Sequence, residues 1–214
     1  MTEETSIQEA LQAVMAESGD IPPKQQQVLA ASLELFAQQG FANTTTKQIA
    51  AKAGVAEGTV YRRYKTKEEL LAAILAPFVT QVLPKLMAEF AQGVVGRPYL
   101  TRHEMIQSIV EDRLAFIQKN GPIFRILIRE ISVRKDLRSQ FIQRAEPLLK
   151  DNLFPVLDRL KARGELVDWP NSRIAQFMIG TMLTELVRSL LVPEEIATAI
   201  PTIIKFLEKG LAPE

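Results

Sequence analysis

The chain has 214 residues, of which 47% are hydrophobic, with ten glycines, twelve prolines and a net charge of +1. It is long enough to bury a substantial core, and its composition is that of a folded protein and not of a disordered or uniformly basic one. It has no cysteine, which excludes disulfides, thiol chemistry and cysteine-based zinc sites, and its single histidine leaves no imidazole cluster for a metal.

Residues 1–21 form an acidic leader. Met1 to Asp20 holds five acids and no base. Ser6 with Glu9 has the spacing of a capping box, and Ile7, Leu11, Val14 and Met15 recur at helical spacing, so an extra amphipathic helix is expected from Ser6 to Glu17, ahead of Pro22-Pro23. An acidic helix does not enter a DNA minor groove; it either docks on protein or stays disordered. The leader lacks an apolar signal core, and the longest apolar run, Leu70 to Val79, falls short of the ~20 residues that cross a bilayer. A cytoplasmic protein with no membrane association is expected.

Residues 22–70 carry the most legible pattern. Thr45 three residues ahead of Gln48 is a second capping box, opening a short helix whose small apolar face is Ile49, Ala50 and Ala53. Gly54 stands where that helix must stop, a place for a left-handed backbone. In the short helix that follows, Val60 and Tyr64 fall on one face, while Gly58 and Arg62 fall on the opposite face, flanked by Thr59 and Tyr61. The first face packs and the second is free for the major groove of DNA, which admits an α-helix and presents base edges. Thr66 with Glu69 caps a further helix, whose first amides with Lys65 and Lys67 offer a site for a backbone phosphate. Charge supports the reading: residues 24–70 hold seven lysines and arginines against four acids.

From Lys24 to Leu70 the chain resembles the DNA-binding domain of the TetR (tetracycline-repressor) family of bacterial regulators. The resemblance rests on Ala31, Leu35-Phe36, Gly40-Phe41, the threonine run 44–46 with Ile49-Ala50, Ala53-Gly54-Val55, Gly58-Thr59-Val60-Tyr61 and Lys67-Glu68-Glu69-Leu70. It implies DNA contacts from Thr44, Thr46, Gly58, Thr59, Tyr61, Arg62, Arg63 and Lys67. Two positions depart from the family pattern: Ala56 replaces a capping serine, and Tyr64 replaces a phenylalanine. Losing such a cap costs about 1 kcal/mol. Glu57, a carboxylate at the head of the reading helix, is repelled by phosphates yet suits the helix dipole and could accept from a cytosine amino group; a structural role is the reading preferred here.

Residues 71–214 read as helices divided at Gly93 to Pro98, Asn120 to Pro122, Gly164 to Asn171 and Pro193. The fold class is therefore all-α, an N-terminal three-helix helix-turn-helix domain followed by a larger helical domain. Pro77, and then Pro84, should kink the helix that begins at Thr66. Aromatic and methionine stripes ordinarily mean core, but the resemblance implies a ligand pocket and assigns Phe78, Met87, Phe90, Phe116, Phe124 and Phe177 to an apolar or amphipathic small molecule. Arg125, Arg129 and Glu130 offer either polar anchors or a surface face, the latter preferred. The resemblance also implies a homodimer through the last two helices. The expected interface is Ile174, Met178, Gly180, Thr181, Thr184, Val187, Ile203 and Leu207, with burial against the same domain as the alternative.

Enzymatic chemistry has little support. His103, near a helix start, suits a solvated or capping role, and Gly93-Val94-Val95-Gly96 lacks the lysine and hydroxyl of a phosphate loop. No cofactor or metal is expected. The function expected is a homodimeric DNA-binding repressor released from double-stranded operator DNA by a small-molecule inducer; the alternative is a DNA-binding regulator controlled by a partner protein.

Overall fold

Proline and glycine constrain where helices can start and stop, and the computed structural model follows that punctuation at Pro23, Gly40, Gly54 and Gly164 but runs through Pro77, Gly93 and Pro147. The structure describes residues 6–17, 21–191 and 196–213. The main helices are α1 (Ile7–Glu17), α2 (Pro23–Gln39), α3 (Thr46–Lys52), α4 (Glu57–Arg63), α5 (Lys67–Pro77), α6 (Leu83–Phe90), α7 (Arg102–Lys119), α8 (Gly121–Val133), α9 (Lys135–Leu148), α10 (Phe154–Ala162), α11 (Asn171–Leu191) and α12 (Ile200–Gly210). Every regular element among the described residues is helical. Pro193, expected as a break, lies outside the described residues, as do the side chains of Met15 and Arg125.

Pro77 does not end its helix. Its missing N–H frees a carbonyl one turn back, and the chain continues through a five-residue π turn, Phe78–Val82, in which the Leu83 N–H reaches back to the Phe78 carbonyl. Pro84 is the second residue of α6. A second π turn follows at Ala91–Val95 and a third at Leu149–Leu153, just beyond Pro147. The helical stretch Lys67–Val95 is thus 29 residues long, enough in length and composition to cross a bilayer, although the longest unbroken apolar run is much shorter. Half of its most apolar window is buried inside the chain, as in a core helix.

Contacts gather the chain into two compact units, Met1–Lys85 with Asn120–Phe141, and Leu86–Lys119 with Ile142–Glu214. In the first, α2 packs on α1, α3, α5 and α8, and α3 packs on α4. The described part of the leader, residues 6–17, docks on protein as α1. Ser6 and Glu9 form the expected box, the Ser6 N–H donating to Glu9 Oε2 at 2.8 Å and the Glu9 N–H to Ser6 Oγ at 3.2 Å. Ile7, Ala10 and Leu11 are buried against α2, α5 and the turn after Pro77, and the Ile7 N–H donates to the buried Asn120 Oδ1 at 2.8 Å. Burial of two large aliphatic side chains contributes about 1.5–3 kcal/mol each, which offsets the ordering of a short helix.

In the second unit α12 packs on α7, and α11 packs on α7, α10 and α12, around Met105, Ile106, Val110, Leu114, Leu157 and Leu160. This packing corrects half of the expected dimer interface. Ile174, Met178, Ile203 and Leu207 are buried in their own unit, because they line the sides of α11 and α12 that form its core. Among the described residues, the large apolar side chains left exposed on these helices are Phe177, Ile179, Leu183, Val187 and Phe206.

Candidate nucleic-acid interface

The reading unit begins where Thr45 caps α3. Its hydroxyl accepts from the Gln48 N–H at 3.2 Å, and Gln48 Oε1 accepts from the Thr45 N–H at 2.8 Å, satisfying two donors that a helix start leaves orphaned. After α3, Gly54 has φ +65°, the left-handed turn expected, and the Val55 N–H bonds back to the Ala50 carbonyl at 3.0 Å. Ala56 gives α4 no side-chain cap. An ion pair between Lys52 and Glu34, 2.6 Å, ties α3 to α2, and that hydrogen bond holds the Glu34 carboxyl below the usual carboxylate range.

One face of α4 is buried against protein. Val60 and Tyr64 are buried, and burial pushes the Tyr64 phenol up. Gly58, Tyr61, Arg62 and Arg63 are exposed, and Thr59 is half-buried. A β-carbon at Gly58 would meet nothing within 4 Å, so folding does not require glycine there; the position leaves room for something to approach from outside. Thr46 and Tyr61 meet across the two helices, their hydroxyl oxygens 2.9 Å apart, and Thr46 Oγ1 lies 3.2 Å from Glu57 Oε1.

Two of the expected DNA contacts face inward instead. Thr44 is 1% exposed; its hydroxyl donates to the Gly40 carbonyl at 2.8 Å. Lys67 directs its ammonium at three carbonyls of the α2–α3 loop, Phe41 at 2.6 Å, Thr44 at 3.0 Å and Ala42 at 3.3 Å, and lies 4.4 Å from the centre of the Phe41 ring. A tight loop exposes carbonyls that must find donors, and a lysine one helix away supplies all three bonds. Phe41 itself was not a candidate. Its ring lies 5.1 Å from Phe36 and carries the Arg129 guanidinium 5.7 Å away, beside a cleft of about 340 Å³ lined also by Gln38, Ile126 and Glu130. Its signal was the Gly40-Phe41 pair, in which Gly40 has φ +83° and sends the chain back toward α2. Arg129 is exposed, in keeping with a surface face.

The expected ligand residues are dispersed. Phe78, buried, and Phe124, half-buried, belong to the first unit; Met87, Phe90, Phe116 and Phe177 belong to the second. Phe177 is 45% exposed and meets Trp169 at a tilt, ring centres 5.7 Å apart, so it does not wall an enclosed space. Phe90 and Phe116 flank the Arg113 guanidinium at 3.8 and 4.8 Å, with Asp112 paired to it at 2.5 Å. This charged group among aromatic rings escaped the sequence reading because Asp112-Arg113 looks like an ordinary surface pair. His103 is exposed and pairs with Glu208 on α12. Among the described residues no group of histidines and acids is placed to hold a metal.

If Lys67 supports the loop, Lys67→Ala should lower stability by about 1–3 kcal/mol through the orphaned carbonyls. The slope of log affinity for duplex DNA against log salt should not change. Unchanged stability with a slope smaller by about one would return Lys67 to the phosphates.

Residues 28–74 match the bacterial regulatory proteins of the tetR family. The HTH-type transcriptional regulator YerO of Bacillus subtilis is 32% identical over 75 residues, 35% of this chain, and the match spans about a quarter (26%) of that regulator's own length. The fatty acid metabolism regulator protein of the same organism is 22% identical over 77% of this chain and 82% of its own. The crystal structure of the transcriptional regulator FadR from Bacillus subtilis, in complex with stearoyl-CoA, superposes with a TM-score of 0.61 at 19% identity, covering 86% of this chain and 98% of that one, which establishes a shared fold. The described helix-turn-helix and the match over it lead to one conclusion: residues 28–74 are a DNA-binding domain of the tetR family of bacterial regulatory proteins, and the chain as a whole shares the fold of the regulators it superposes on.

Proposed function

We propose that this protein is a cytoplasmic, homodimeric transcriptional repressor that reads operator DNA with α4 and releases it when an apolar or amphipathic small molecule binds. The observation that carries the DNA-binding part is the exposed outer face of α4, with Tyr61, Arg62 and Arg63, held from behind by the buried Val60 and Tyr64. Thr46, Gly58 and Thr59 complete the proposed contact surface. Arg62→Ala should relax sequence preference by about 1–3 kcal/mol at one position in each half-site, as measured by competition between operator and unrelated duplex. A mutant with wild-type specificity would remove Arg62 from base readout.

A dimer follows from the DNA side, because one seven-residue helix reads few base pairs and two-fold readers set their helices about one turn of DNA, ~34–36 Å, or a multiple apart. The exposed strip of α11, with Phe177, Leu183, Thr184 and Val187 beside the half-buried Gly180, and Phe206 on α12, 62% exposed, support pairing through these helices. Thr181, half-buried, flanks that strip. A β-carbon at Gly180 would meet nothing within 4 Å of the protomer. Gly180→Arg should therefore leave the protomer folded and give monomers by sedimentation, with little operator affinity. A persistent dimer would move the interface elsewhere.

For the ligand, the stearoyl-CoA bound by the Bacillus subtilis regulator favours a long-chain acyl group over other apolar molecules. In this chain Met87, Phe90 and Phe116 are the apolar candidates, with the Arg113 guanidinium between two of them as a partner for an anionic end. A long-chain acyl-CoA should weaken operator binding, and operator should weaken acyl-CoA binding by the same factor. Absence of any mutual effect would favour control by a partner protein.

A further inference from the structure

We infer that Glu57, Thr46 and Tyr61 form one hydrogen-bonded relay that makes the head of α4 an acceptor-only surface, selecting a base with an exocyclic amino group, cytosine or adenine, at one position of each half-site. The inference rests on the DNA-binding reading above and adds to it a residue, Glu57, whose charge phosphates repel.

The argument is one of proton counting. Thr46 Oγ1 lies 3.2 Å from Glu57 Oε1 and 2.9 Å from the Tyr61 hydroxyl, and it has a single proton. A carboxylate can only accept, so the Thr46 proton goes to Glu57. Thr46 must then accept from Tyr61, which commits the tyrosine proton as well. The relay runs in one direction, from Tyr61 through Thr46 to Glu57, and each bond polarises the next. Both protons point inward along the relay. What remains for a partner is the lone pairs of the tyrosine oxygen and the second carboxylate oxygen of Glu57.

Position gives that surface its reader. Glu57 is the first residue of α4, it is exposed, and Tyr61 lies one turn further along the same face. The N-terminal residues of a recognition helix are those that meet base edges in the major groove. In that groove the donors are the amino groups of cytosine and adenine, whereas guanine and thymine offer oxygen or ring-nitrogen acceptors, which an acceptor surface repels. The same carboxylate penalises a register that brings it against a phosphate. Arg62, a pure donor on the next turn, has the opposite preference, so neighbouring positions on α4 read opposite patterns.

The test is a full base-preference profile, obtained by enriching random duplexes on the full-length protein and sequencing them, for wild type, Glu57→Gln and Thr46→Val. Gln can donate as well as accept, which frees the relay to reverse; Val keeps the carboxylate and breaks the relay. The wild type should show one symmetric pair of positions preferring cytosine or adenine by about 5- to 150-fold, the range of a single good base contact. Glu57→Gln should lose most of that preference at that pair alone; Thr46→Val, which frees only the Tyr61 proton, should lose part of it at the same pair, with the guanine preferences elsewhere intact in both. Coincident profiles, a preference for guanine or thymine at the affected pair, or an equal loss for every sequence accompanied by a lower melting temperature would overturn the relay as a reader. Failure of the wild type to enrich any sequence would overturn the DNA-binding reading and the relay with it.

Discussion

The α2–α3 loop is the constraint on which the reading unit depends. Gly40 turns the chain at the end of α2, and the carbonyls of Phe41, Ala42 and Thr44 are left without partners in any helix. Lys67 supplies a donor to all three and places its charge against the Phe41 ring, while the ring packs on Phe36. Because Lys67 is also the first residue of α5, the same contact fixes the connector helix to the loop that launches α3. The bonds to the Phe41 and Thr44 carbonyls are partly shielded from water, so separating α5 from the loop costs the hydrogen bonds of both.

With the loop fixed, the rest of the reading unit follows from few further contacts. Thr45 and Gln48 close the start of α3, Gly54 permits the turn, and Val60 and Tyr64 pin α4 from behind. α1 packs on α2, on α5 and on the π turn after Pro77. That π turn lies within a continuous helical path from Lys67 to Val95. π turns are local irregularities that mark kinks in a helix, and two of the three here lie just beyond a proline. A ligand acting on that path must bind one arrangement of it better than another, since equal affinity for both would shift nothing.

Where local chemistry decides structure, the residues were legible. The capping boxes at Ser6 and Thr45, the left-handed Gly54 and the inward face of α4 all follow from what a helix end or a tight turn demands of its neighbours in sequence. Long-range decisions were not legible. Lys67 looked like a phosphate contact because a lysine at a helix start usually faces solvent; only the fold brings it under three carbonyls 23 to 26 residues earlier. Ile174, Met178, Ile203 and Leu207 have the right periodicity for an interface, but periodicity does not say whether a stripe meets its own unit or another chain. Phe177 read as interior by the same logic and lies at the surface. The role of Glu57 was hidden for a similar reason, since its partner Thr46 sits on a different helix.

The central claim, that a face of α4 backed by Val60 and Tyr64 and launched from the Phe41–Lys67 loop reads DNA, is tested most directly by amide hydrogen exchange of the full chain with and without a duplex carrying its selected sequence. The account predicts slowed exchange over Thr45 to Gln48 and Glu57 to Tyr64 in the complex. Protection confined to α11 and α12, or absent from α4 while the duplex is bound, would contradict it.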